Sequence, residues 1–150
     1  MNTKTKVLMV CLGNICRSPL AEGILQNKVD SARVFVDSAG TGGYHIGNAP
    51  DPRSIAVARS HGIHIENQRC RQFTETDFEN FDVIYAMDKS NYGNIIAKAK
   101  TKADQQKVKL LLSEVNLPVQ EVPDPYWDDN GFQNVYNLID TACEAIAKKL

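Results

Sequence analysis

The sequence predicts an α/β fold in three layers, a four-stranded parallel sheet flanked by helices on both faces. Three observations carry this. Short apolar, β-branched runs alternate with stretches of helical spacing, the order that a parallel sheet requires. The first of these runs passes through a tight loop, Cys11 to Arg17, directly into a helix start. A final stretch, residues 132–150, sets apolar side chains at three- and four-residue steps. With 150 residues, 43% hydrophobic content and a net charge of −1, the chain suits one globular domain spanning 1–150, with no nucleic-acid or membrane surface.

Residues 6–10 read as a buried strand, aliphatic and ending before Gly13 and Asn14. Ser18-Pro19 reads as a helix N-cap with proline at the first helical position, followed by Leu20, Ala21, Ile24 and Leu25 at helical spacing. Residues 34–38 form the second strand, and 40–49 a glycine-rich loop with Tyr44 and His45 at its tip. Asp51-Pro52 repeats the cap-plus-proline signal, with Gly62 as C-terminal cap. Strands at 83–87 and 108–112 flank a helix at 90–99. In the last helix Phe132, Val135, Tyr136, Ile139, Ala142, Cys143, Ile146 and Leu150 share the packed face, and Lys148 and Lys149 stay solvated. The basic start, 1–6, precedes an apolar run too short for a signal peptide, so a cytoplasmic location is expected. Four cysteines without framework spacing agree with a reducing compartment, and no Cys-x-x-Cys pair suggests zinc, so neither metal nor cofactor is expected.

A strand-loop-helix joint aims backbone N–H groups and the positive end of a helix dipole at one point, and the occupant this favours is an oxyanion. Gly13 and Asn14 tolerate the backbone angles of a concave amide nest, while Leu12 and Ile15 offer amides and apolar walls. Arg17 supplies a planar fork that grips two phosphate oxygens at once. Cys11 lies in the same positive field, which favours thiolate over thiol, so the loop both binds a phosphate and attacks it. Ligands of open α/β sheets bind beyond the carboxyl ends of the strands, where the Cys11 loop, the loop after Ser38 and the loop after Val122 converge. Attack on an ester leaves an alkoxide or phenoxide that needs a proton from the opposite side. Asp124, before Pro125, reads either as that acid or as a turn former. Cys16 reads as a small core residue or a second reactive thiol, and Tyr44, Tyr126 and Trp127 as packed aromatics or as walls of a deep cleft. Ser18 can both cap its helix and donate to the Cys11 sulfur; His61 reads as a helix C-terminal residue. Cys70, between Arg69 and Arg71, reads as a surface-loop residue beside two solvated charges.

Val10-Cys11-Leu12-Gly13-Asn14-Ile15-Cys16-Arg17-Ser18-Pro19 closely resembles the signature of the low-molecular-weight protein tyrosine phosphatases. Asp37-Ser38-Ala39-Gly40-Thr41, Asp51-Pro52-Arg53, His61-Gly62-Ile63, Met87-Asp88-Lys89-Ser90-Asn91 and Asp124-Pro125-Tyr126 resemble later segments of that family, in order. The resemblance implies a phosphotyrosine phosphatase I-like fold and metal-independent hydrolysis of protein phosphotyrosine and small aryl phosphates through a phosphocysteine. Cys11, Arg17 and Asp124 would be catalytic; residues 12–16, Ser18, Tyr44, Tyr126 and Trp127 would bind substrate. Asn14, Ser38 and His61 would shape the loop by hydrogen bonds, and Cys16 would protect Cys11 from irreversible oxidation by closing a disulfide. Trp127 stands where the family often has a second Tyr. The resemblance also implies phosphotyrosine proteins or peptides as partners, inorganic phosphate or another oxyanion in the loop, and a monomer or weak dimer; because a Cys11 thiolate must coexist with a protonated Asp124, activity is expected on the acid side of neutrality. An arsenate reductase on the same fold would carry relay cysteines, and none lies between Arg71 and Asp129. A phosphoarginine phosphatase resembles this chain except for Thr at the position of Ile15. A non-catalytic phosphate-binding module could dispense with Cys11 or Asp124.

Overall fold

The computed structural model describes residues 4–127 and 130–150, with the side chain of Trp127 also outside the described part. Strands β1 (Thr5–Cys11), β2 (Val34–Gly40), β3 (Val83–Ala86) and β4 (Val108–Leu110) pair in parallel in the order β2-β1-β3-β4. Because side chains alternate across a strand, central β1 feeds two cores. Val7 and Met9 pack with Leu20 and Ile24 of helix α1 (Arg17–Gln26) and Val135 and Ile139 of the C-terminal helix, while Leu8 and Val10 pack with Phe73, Phe78 and Ile95 on the other face. All four β1 residues are fully buried, which is why the strand reads as continuous apolar sequence rather than as an alternation. The expected three layers and parallel sheet are therefore present.

After α1 come α2 (Pro52–Ser60), α3 (Asp77–Asn80), α4 (Lys89–Ile96), α5 (Lys102–Gln106) and α6 (Gly131–Lys149), with 3-10 turns at Leu111–Glu114 and Pro125–Trp127. The Asp51 cap is as expected: its carboxylate accepts from the Arg53 N–H at 2.8 Å, Pro52 opens the helix, and Gly62 follows the end at φ 78°. The fourth strand is shorter than expected because Leu111 and Leu112 are both buried in the same core. A strand would send them to opposite faces, whereas a 3-10 turn delivers both to one. Leu150 lies beyond the last helical turn and is exposed rather than packed. Among the described residues no helix is long and apolar enough to cross a membrane.

Candidate active site

The register sets the site. Cys11 is paired with Gly40 and Val10 with Ala86, so β1, β2 and β3 end at one level and their loops open on the same edge. A Cβ on Gly40 would lie 2.7 Å from the Leu12 carbonyl oxygen and 3.1 Å from the Asn14 nitrogen, so only glycine lets the end of β2 lie against this loop. The next amides hold the loop from behind: Thr41 N–H donates to Cys11 O and Gly42 N–H to Leu12 O, both at 2.9 Å, and Asp51 N–H donates to Ile15 O at 2.7 Å. Among the described residues the N–H groups of Gly13, Ile15, Cys16 and Arg17 make no intramolecular hydrogen bond. That leaves a set of donors at the start of α1, the arrangement that binds an oxyanion.

Asn14 ties this loop together at φ 58°, the one non-glycine positive φ among the described residues. Its N–H donates to Cys11 Sγ at 3.3 Å, and its side-chain amide donates to Ser18 Oγ (2.8 Å) and Ser38 Oγ (3.0 Å). Its Oδ1 accepts from Arg71 N–H at 2.9 Å, and its carbonyl accepts from Cys70 Sγ at 2.8 Å. Ser18 is not the helix cap. That place falls to Cys16, α1 starts at Arg17, and proline is still tolerated at residue 19 because first-turn amides have no helical partner anyway. Freed from capping, the Ser18 hydroxyl lies 3.0 Å from Cys11 Sγ; since its oxygen already accepts from Asn14, its proton can go to the sulfur. Cys70 is likewise corrected: it is buried at 4% exposure, and Arg71 is paired with Asp37 and Asp77 rather than solvated, because both flank the loop from behind. His61 stacks on Tyr136 with centroids 4.0 Å apart and bonds to Gln133, away from the loop; the bonds expected of it come from Ser38, Cys70 and Arg71.

Arg17 is buried, and its Nη1 donates to Asp88 Oδ2 at 2.7 Å and Val122 O at 2.9 Å. Burial opposes its charge, but the Cys11 sulfur and Asp88 carboxylate beside it hold the guanidinium protonated and push its pKa up. Sequence reasoning missed Asp88 as the residue that aims Arg17. Its local spacing signals only a helix cap, which it also is: Oδ1 accepts from Asn91 N–H at 2.7 Å at the start of α4. Cys11, Arg17, Leu12, Gly13, Ile15, Cys16, Tyr44, Asp124 and Tyr126 line a cavity of about 140 Å³, together with His45, which the sequence placed only at a loop tip. Leu12, Tyr44 and Tyr126 are exposed at its rim. Cys16 Sγ lies 2.8 Å from Tyr126 Oη, and burial pushes its thiol up to about 11. The Tyr126 ring is fixed under the Arg53 guanidinium, 5.1 Å away, and edge-on to Phe132. Trp127 contributes its backbone to the 3-10 turn, and its expected wall role lies outside the described residues.

A cysteine sulfur fed by hydrogen bonds, an arginine at the helix start and a carboxylic acid at the opening define an oxyanion site of the cysteine-nucleophile type. The chain belongs to the low molecular weight phosphotyrosine protein phosphatase family, whose model matches residues 6–150. It is 42% identical over 148 residues to the Schizosaccharomyces pombe low molecular weight phosphotyrosine protein phosphatase (93% of this chain, 94% of that one), and 40% identical over 149 to the Homo sapiens protein of the same name (95% and 94%). A protein tyrosine phosphatase from Entamoeba histolytica, solved with Hepes in its active site, superposes with a TM-score of 0.91 at 36% identity, covering 97% of this chain and 96% of that one.

Proposed function

We propose that this chain hydrolyses protein phosphotyrosine and small aryl phosphates through a phosphocysteine on Cys11, with residues 1–150 acting as one catalytic domain. Cys11 Sγ attacks phosphorus as the ester oxygen departs on the far side, where Asp124 supplies its proton. The loop amides and the Arg17 fork hold the three equatorial oxygens, the electrostatic work on which phosphoryl transfer depends. Asp124, now a carboxylate, takes a proton from the water that attacks the phosphocysteine, and Ser18 receives the returning thiolate with its hydroxyl. The exposed apolar and aromatic rim of Leu12, Tyr44 and Tyr126 suits an aryl phosphate ester over phosphoserine, and apolar Ile15 suits an aryl group over a guanidinium. Peroxide would oxidise Cys11 to a sulfenic acid, and Cys16 would then displace water to close a protective disulfide.

The observation that carries this reading is the Cys11 sulfur receiving Asn14 N–H and facing the Ser18 hydroxyl in the cavity that Arg17 and Asp124 share. Cys11→Ser is expected to keep the fold and phosphate binding while lowering turnover of a phosphotyrosine peptide by at least about 10⁴-fold. Acid-quenched wild-type enzyme is expected to carry phosphate on Cys11. Appreciable turnover by the serine variant, or a quenched enzyme with no such adduct, overturns the nucleophile assignment.

A further inference from the structure

Behind the phosphate loop lies a carboxylate that the chemistry above leaves unused. Glu22, in the second turn of α1, is only 8% exposed, and its Oε1 accepts from Ser38 Oγ at 2.5 Å. We infer that Glu22 is a positioning residue for the nucleophile, acting through the hydrogen-bonded chain Glu22, Ser38, Asn14, Ser18, Cys11. This rests on the reading of Cys11 as the attacking group.

The chain has a direction, and Glu22 sets it. The Asn14 side-chain amide donates both of its protons, one to Ser38 Oγ and one to Ser18 Oγ. Each serine oxygen is thereby an acceptor, and each serine has one proton left to place. Glu22 takes the proton of Ser38. Ser18 is left to direct its own at Cys11 Sγ, 3.0 Å away, with the Ala39 carbonyl a poorer alternative at 3.4 Å. Without an acceptor at residue 22, Ser38 would be buried with an unplaced proton. Its hydroxyl would then turn toward Asn14, opposing the amide that orders the loop. The role does not need a charged Glu22. The neutral acid still presents a carbonyl oxygen to Ser38, and the Gln26 amide that donates to Oε2 at 3.2 Å also has the Val36 carbonyl as an acceptor at 3.1 Å. Asp37 and Arg71 are the charged groups that act on Glu22, with opposing signs.

The test compares Glu22→Gln with Glu22→Leu. Both remove the charge, and only Gln keeps an acceptor for Ser38. The readouts are kcat for a phosphotyrosine peptide and the pH profile of Cys11 alkylation by iodoacetate, each on variants shown by circular dichroism to be folded. Glu22→Leu is expected to lower kcat about tenfold and to move the alkylation midpoint upward by half a pH unit or more relative to Glu22→Gln, which stays within about threefold of wild type in kcat. Ser38→Ala, which cuts the same chain but keeps the carboxyl, is expected to behave like Glu22→Leu. Superimposable Gln and Leu profiles overturn the inference about Glu22. Failure of iodoacetate to stop wild-type turnover would instead overturn the reading of Cys11.

Discussion

The two sides of the cavity are built on opposite plans. On the side of Cys11, Asn14, Arg17 and Ser18 are buried, each with a bonded side chain, and the backbone is tied to three neighbouring segments. On the side of Asp124, residues 118–124 are exposed except for Val122. That residue is the anchor: its N–H donates to Met87 O at 2.8 Å and its carbonyl accepts from Arg17. A second fixed point lies at Gly131, where a Cβ would fall 2.0 Å from the Pro125 carbonyl oxygen, so α6 packs directly on the turn after Asp124. The difference fits the two tasks proposed for Cys11 and Asp124. Holding a phosphate demands donors fixed before the substrate arrives. The acid proposed at Asp124 would have to reach both a departing phenoxide and a water, and its exposure suits that role.

The largest effect expected within this comparison comes from the open side. Asp124→Asn should slow hydrolysis of phosphotyrosine peptides by about 10²- to 10⁴-fold while sparing aryl phosphates with very good leaving groups, which need no proton. Equal losses across a leaving-group series would remove Asp124 from the chemistry. A smaller effect is expected from the bonded side. Asp88→Asn keeps the cap on α4, since Asn caps as well as Asp, and takes away the charge that aims Arg17. A fall of about tenfold in kcat/KM for phosphotyrosine is expected of the folded variant. Unaltered kinetics would mean that Val122 O and packing alone orient the guanidinium.

Most of the sheet and the phosphate loop were legible in the sequence because both are local. A continuous apolar run, a glycine and an asparagine, then an arginine and proline are read from adjacent residues, and Asp51-Pro52 fixes its own helix start. What stayed illegible depends on partners distant in sequence. Cys70 reads as a surface thiol until the fold brings residues 70 and 71 against Asn14, and nothing local to Glu22 or Asp88 reveals Ser38 or Arg17. Ser18 misled for the same reason: its cap signal is local, but its strongest partners are Asn14 and Cys11, so the helix starts ahead of it. The fourth strand was overextended because Leu111 and Leu112 look like more strand, and only their shared core shows the turn.

The smallest effect expected concerns stability rather than rate, and it measures what the rigid side costs. Burial first, and Asp37 beside it, push the Glu22 carboxyl from its ordinary value of 4.5 up to about 7, against the lowering pull of Ser38 and Gln26. Between those two values the folded protein holds a proton that the unfolded chain has released. Stability from this group is therefore greatest below pH 4.5 and is lost as pH rises toward 7, by up to about 3 kcal/mol. The urea midpoint of the wild type at pH 5 should exceed that at pH 7.5 by more than in Glu22→Gln, where this titration is absent. Parallel pH dependences in the two proteins would show that Glu22 folds without strain. A steeper fall in the wild type would show that the phosphate loop keeps a buried carboxyl at a cost in stability that the open Asp124 side never incurs.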